Sequence, residues 1–317
     1  MQKWQTYAVA EGASKTISGI FQDIVGKVMA TVELGCVAAI LIGTVQAIGG
    51  FLGFSRKVAK NPEDKSLLVP NLRHIRFAIW FGFFACVPGT ILSLYTFTLG
   101  AEFSARTLLI MASIVPGAIF GRMLWGPKTD PLGVSQWTGI LLFLIACWSV
   151  LGFPTNFGLD AWVWWTLVIT LSQPINEVLS RKTADAKLDA FVNNFWVGSS
   201  TVLFAGLSLV IWIAIFGASN QRFDLVFAGG SLVIGVIVSC MIIFKLLSYA
   251  GGGTIALKKV IMQSTYLVTF TAVGYLYGQP FTWGHAIAFV LFPIAFGLID
   301  KDTRKGIQAL FARTQTA

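Results

Sequence analysis

Residues 102–126, EFSARTLLIMASIVPGAIFGRMLWG, and residues 254–278, TIALKKVIMQSTYLVTFTAVGYLYG, read as two copies of one unit. Superposed, they bring Gly100 onto Gly252, Arg106 onto Lys258, Leu124 onto Leu276 and Gly126 onto Gly278, each pair 152 positions apart. The match continues after a short insertion in the first copy, where QWTGILLF meets TWGHAIAF and Trp137 meets Trp283. Chance agreement is common in apolar text. Continuation across a connection into the next segment is what gives this one weight.

Working outward, the chain has 317 residues, 56% of them hydrophobic and 12% charged, with a mean hydropathy of +0.75. A soluble domain of this size could not bury so much apolar surface in one core, so the bilayer is the expected solvent. Apolar stretches near 33–53, 75–99, 104–125, 134–152, 160–182, 190–217, 228–250, 254–278 and 282–299 approach or exceed the ~20 residues that cross a bilayer as helix. That predicts an all-α polytopic membrane protein with about nine spans. The short alternating segments of a β-barrel are absent from the sequence. No secretory signal is evident, because Lys3, Glu11, Lys15, Asp23 and Lys27 leave no apolar core before the first span. Cys36, Cys86, Cys147 and Cys240 stand singly, without metal-ligand spacing, so neither a metal nor a cofactor is expected.

The loop SRKVAKNPEDKSLLVPNLRHIR at 55–76 carries six Lys and Arg against two acids, which makes it cytosolic by the positive-inside rule. Alternating from there, the connections at 126–133, 183–189 and 251–253 and the tail at 300–317, with Lys301, Arg304, Lys305 and Arg313, also fall inside. On this count the N-terminus lies outside. A multi-pass protein of a bacterial inner membrane or an organelle membrane, C-terminus cytosolic, is the expectation. Residues 1–32 read as an interfacial amphipathic segment, with Ile17, Ile20, Phe21, Ile24, Val28 and Val32 on one side and Gln22, Asp23 and Lys27 elsewhere; an ordinary surface helix fits the pattern equally. The net charge of +9 follows the loops and points to anionic lipid, with no sign of nucleic-acid binding.

Under this orientation the copies at 104–125 and 254–278 run in opposite senses, giving a first repeat over 33–152 and a second over 160–299. Inverted repeats are a hallmark of secondary transporters, with sites at the midplane. In AWVWWTLVITLSQPINEVLSRK, 161–182, Thr166, Thr170, Gln173 and Glu177 form one polar stripe that should face a cavity or another helix. Pro174 would free the carbonyl of Thr170, and Glu177 is a candidate for proton coupling. A plain ion pair to Arg181 one turn on is the bland alternative. In the second copy Lys259, Gln263, Tyr266 and Phe270 share a face, and Lys258, Thr265 and Thr269 the adjacent one. Lysines near a span end can snorkel, and Lys245 reads that way. Asn193 and Asn194 fall on the same cytosolic side. Arg106 and Lys258 would gate opposite mouths. With Arg106, Lys258 and Lys259 against Glu177, an anion fits better than a cation. Trp162, Trp164, Trp165, Trp196 and Trp283 read mostly as an interfacial belt. Gly49 and Gly53 suit either close helix packing or dimerisation, leaving a homodimer or a membrane-complex partner open.

The helix–connection–helix units at 105–139 and 257–286 resemble those of the drug/metabolite transporter (EamA-like) superfamily, over roughly residues 33–300. FVNN at 191–194 and IALKK at 255–259 are similar to the FYNN and GALNK motifs of its nucleotide-sugar branch, with Val192, Ile255 and Lys258 departing, and the paired lysines are similar to those of the phosphate translocators. The resemblance implies ten spans in two inverted halves, so this chain is expected to be one helix short, with the first family helix either absent or replaced by residues 1–32. It implies a secondary transporter, not an enzyme, moving a small polar metabolite, an anion for preference, of the phosphorylated-sugar, nucleotide-sugar or amino-acid class. The expected binding residues are Lys258, Lys259, Gln263, Tyr266, Asn193, Asn194, Thr170, Gln173 and Arg106. The competing reading is a non-transporting scaffold or assembly partner. A membrane enzyme is disfavoured, since no acid pair, His cluster or nucleophile–base set appears.

Overall fold

The computed structural model describes residues 2–29, 31–68, 71–155, 160–219, 224–276 and 278–300; the tail cations expected on the cytosolic side lie outside them. Among the described residues all regular structure is helical. The elements are α1 (Lys3–Val28), α2 (Val32–Lys60), α3 (Leu72–Cys86), a π-helical turn (Val87–Leu92), α4 (Ser93–Thr98), α5 (Phe103–Met111), α6 (Ile114–Thr129), α7 (Val134–Val150), α8 (Ala161–Asp185), α9 (Ala190–Phe216), α10 (Leu225–Ala250), α11 (Ile255–Leu276) and α12 (Trp283–Ile299), with a 3-10 stretch at Pro62–Leu68. α3, the π turn and α4 make one rod, as do α5 and α6, so the described residues form ten rods. Five of them, 32–60, 72–98, 103–129, 190–216 and 225–250, are long and apolar enough to cross a membrane. The protein is an all-α membrane-spanning chain.

The apolar stretches of the sequence all coincide with helices. The N-terminal segment does not behave as expected. α1 is 26 residues, about 39 Å of helix, and it packs along α10 and α11 inside the bundle rather than lying at an interface. Its two-sided pattern is real but inverted in meaning. Ile17, Ile24 and Val28 are exposed, as are Lys3, Thr6 and Lys27, while Trp4, Glu11, Gly12, Thr16 and Ser18 are buried. In its middle turns the polar Glu11, Thr16 and Ser18 face in and Ile17 and Ile24 face outward, while Trp4, Ala8 and Val25 are packed in the core.

This corrects the placement of the N-terminus. Trp4 packs on Gly251 and Gly253 at the α10–α11 turn, and Val25 abuts Gly230 near the start of α10, so α1 and α10 are antiparallel. Lys3 therefore sits at the same end as residues 251–253, the end at which α2 also finishes with Lys57 and Lys60. We call it the basic end. With α1 packed as a rod of the bundle, both the start of α1 and the end of α12 fall there.

Contacts between rods come in matched sets. α2 lies along α9, and α7 along α12; α1 packs on α10 and α11 as α8 packs on the α3–α4 and α5–α6 rods; α3 meets α9 as α10 meets α2. The close approaches are made by glycine. A Cβ on Gly50 would stand 2.3 Å from the Phe195 nitrogen, and one on Gly198 2.4 Å from the Ala47 nitrogen. Gly53 is likewise covered by Phe191 of α9, so the small residues of α2 serve packing within the chain. The aligned glycines also share a backbone role. Gly100 and Gly252 have φ of 83° and 99°, and Gly126 and Gly278 78° and 81°, the left-handed region that lets a helix stop and turn.

Candidate substrate cavity

A cavity of about 140 Å³ lies inside the bundle, lined from both five-rod halves. α1 supplies Glu11, Lys15, Ser18, Gly19 and Gln22, one residue per turn along its inward side. α8 adds Ile169, Gln173, Asn176 and Glu177, and α11 adds Met262, Gln263 and Tyr266. None of these three helices is among the five rods long and apolar enough to cross a membrane by composition, in keeping with the polar groups that each presents to the cavity.

At the basic end of the cavity the charged groups form one network across four helices. Lys258 Nζ lies 2.8 Å from Glu11 Oε2 and 2.9 Å from Glu177 Oε2, and Lys245 Nζ lies 3.1 Å from Glu177 Oε1 and 3.9 Å from Glu11 Oε1. The Tyr249 hydroxyl donates to Glu177, and the Lys258 ammonium stands 4.6 Å from the centre of the Tyr249 ring. All five side chains are buried. Neither snorkelling nor an i,i+4 pair describes them. Lys245 does not reach for the surface, and Arg181, the expected partner of Glu177, is instead 2.5 Å from Asp130 and stacked 4.2 Å over Trp125.

The opposite end is built differently around Arg106. Its Nε donates to Thr96 Oγ1 at 2.7 Å, its Nη2 donates to Ser93 Oγ at 2.5 Å and to Ser93 O at 3.2 Å, and its guanidinium lies 4.3 Å from the Phe97 ring centre. The repeat accounts for part of this. Phe97 and Tyr249 stand 152 positions apart, as do Arg106 and Lys258, so each copy sets a cation on an aromatic ring nine residues earlier. The copies differ in what completes the shell, which is two carboxylates at Lys258 and neutral oxygens at Arg106.

Of the residues expected to bind substrate, Arg106, Gln173, Gln263 and Tyr266 line this cavity, together with Glu177. Lys258 sits behind the two glutamates. Lys259 is turned away: its Nζ donates to Ser113 Oγ at 2.8 Å and Ser113 O at 3.3 Å, bracing the point where the α5–α6 rod breaks. Thr170 donates to Leu109 O and Thr166 O. Asn194 donates to Ser239 Oγ at 2.5 Å and Gln46 O at 3.3 Å, tying α9 to α10 and α2, and Asn193 is buried outside the lining. Phe270 stacks on Phe103 at 4.9 Å, and Trp162, expected in the belt, is buried. Sequence reasoning missed Glu11, Lys15, Gln46 and Asn176. The spacing of Glu11, Lys15, Ser18 and Gln22 is a signal for the first two, but from sequence their segment reads equally as an interfacial or surface helix. Gln46 Nε2, Asn176 Oδ1 and Gln263 Oε1 are buried with no hydrogen-bond partner among the described residues. Such atoms are costly unless a ligand or water satisfies them.

No family model matches the chain, and no curated protein matches it. A solved structure described as "Crystal structure of protein" superposes with a TM-score of 0.64 over 95% of this chain and 97% of that one, at 15% sequence identity. At that identity the likeness is one of fold.

Proposed function

We propose that this protein is a secondary transporter of the drug/metabolite transporter type, in which two inverted five-rod halves enclose one binding cavity for a small polar anion. The observation that carries the reading is the cavity within the bundle, with buried, unpartnered amide atoms and more cations than acids in its wall. Gly100 and Gly252, and Gly126 and Gly278, support an internal duplication, because aligned positions adopt the same unusual backbone conformation. With α1 as the first rod each half has five, so the helix that the resemblance demanded has a candidate.

The two ends then have distinct roles. The Glu11–Lys258–Glu177–Lys245 network joins α1, α8, α10 and α11 and closes the cavity toward the basic end. Protonation of Glu177 or Glu11 would loosen Lys258 and Lys245 from it, which keeps Glu177 the leading candidate for proton coupling and adds Glu11. Arg106 anchors the anion at the other end.

Uptake into proteoliposomes tests this with carboxylates, amino acids, sugar phosphates and nucleotide sugars offered in turn. Saturable uptake of an anion, lost in Arg106→Gln, is the expected result. No uptake of any of them would return the protein to the scaffold reading. Uptake whose pH dependence is intact in both Glu177→Gln and Glu11→Gln would remove the proton-coupling role.

A further inference from the structure

We propose that the cavity binds a linear dicarboxylate, one carboxylate on Arg106 and the other on Lys15, which makes Lys15 a substrate-binding residue. The proposal deepens the transport reading and rests on it for the cavity being a substrate site. It begins from which charges in the wall are already answered. Glu11 and Glu177 are taken up by Lys258 and Lys245. Two cations are left over. Among the described residues no carboxylate lies within 4 Å of Arg106 or of Lys15, and both line the cavity. Asp23, the acid that Arg106 feels at longer range, is held by Lys27 at 2.7 Å on the exposed side of α1. Lys15 has like-charged neighbours in Lys245 and Lys258, offset by Glu11 and Glu177.

A buried guanidinium whose contacts are all neutral oxygens and a ring is incompletely compensated, because desolvation costs it several kcal/mol that only an anion recovers in full. A carboxylate could do so with a paired, planar hydrogen bond. The spacing selects the ligand's shape. Ser93, which holds Arg106, also donates to Gln22 Oε1 at 3.3 Å, so the guanidinium lies near the level of Gln22 on α1. Lys15 is seven residues earlier, about 10 Å along the helix axis. With each carboxylate standing about 3 Å from its cation, about 4 Å of this axial distance is left between them, which suits a short chain of about four carbons. A phosphomonoester carries both charges on one group and would answer one cation only.

The middle of the cavity is suited to such a chain. Gly12 abuts Met262 and Thr16 donates to Tyr266 O at 2.9 Å, which sets Gln263 near the level of Lys15. Its Oε1, with Asn176 Oδ1 and Gln46 Nε2, could receive an amino or hydroxyl substituent on the chain.

The test is equilibrium binding to the purified full chain in detergent, using succinate and glutarate against propionate, glycerol phosphate and putrescine. Saturable binding of the dicarboxylates, tighter than the other three, is expected, weakened at least tenfold by Arg106→Gln and by Lys15→Gln, with propionate affected by Arg106→Gln more than by Lys15→Gln. Absence of saturable dicarboxylate binding to the wild type overturns the proposal. So does tighter binding of glycerol phosphate or putrescine, or unchanged succinate binding in either Arg106→Gln or Lys15→Gln. Should either Gln variant fail to fold, Arg106→Lys and Lys15→Arg and the wild-type ligand ranking decide. Dicarboxylate binding without uptake would defeat the transport reading and leave this one standing; uptake of another ligand class without dicarboxylate binding would do the reverse.

Discussion

Replacing Lys258 by Met should be among the most damaging single changes in the bundle, and the geometry says how damaging. Lys258 is fully buried and touches two carboxylates, at 2.8 and 2.9 Å. Without it Glu11 keeps only Lys245, at 3.9 Å, while Glu177 keeps Lys245 at 3.1 Å and the Tyr249 hydroxyl. Removing one member of a buried ionic group costs about 3–5 kcal/mol, because what remains is an uncompensated charge. Removing the acid as well should recover part of that loss, so Lys258→Met/Glu11→Gln is expected to be more stable than Lys258→Met alone. The coupling between directly contacting groups should be about 0.5–3 kcal/mol. Unfolding of the purified protein in detergent, followed by tryptophan fluorescence, gives all four corners of the cycle. A Lys258→Met variant within about 0.5 kcal/mol of wild type would mean that the network is not formed in the folded protein.

Three further outcomes follow from other contacts. Arg181→Ala strands buried Asp130 and empties the face of Trp125, so it should cost about 3–5 kcal/mol by the same unfolding measurement; Arg181→Lys should recover only part, since a lysine cannot both stack and pair in the plane. Lys259→Met removes two hydrogen bonds to Ser113 and should cost about 1–3 kcal/mol, while leaving dicarboxylate binding in place; a loss of binding with normal stability would put Lys259 back among the substrate residues. Gly198→Val should prevent the α2–α9 approach, since its first added carbon meets Ala47 backbone at 2.4 Å, whereas Gly206→Ala on the same helix, with nothing within 4 Å, should be neutral. Thermal unfolding of the pair compares them directly.

What the sequence could say about this protein was set by hydropathy and periodicity, which are properties of single segments. Blocks such as 190–217 and 228–250 announce their helices because polar residues are few and charge nearly absent in them, and Gly126 and Gly278 announce their turns because glycine tolerates positive φ. The pairing of Arg106 with Lys258 in the repeat was legible for the same reason. The stripe through Gln173 and Glu177 was readable as facing a cavity, since lipid cannot satisfy it. Which way the polar side of α1 faces was not readable. Glu11 and Lys15 look like surface charge until Lys258 and Lys245, more than two hundred positions away, are seen to lie against the same helix. The same limit hid the partners of Glu177 and Arg181 and the hydrogen bonds by which Lys259, Asn194 and Thr170 tie neighbouring helices together. Local sequence fixes the period with which residues leave a helix, whereas the neighbour each one meets depends on how the rods pack, and a buried charge takes its role from that neighbour.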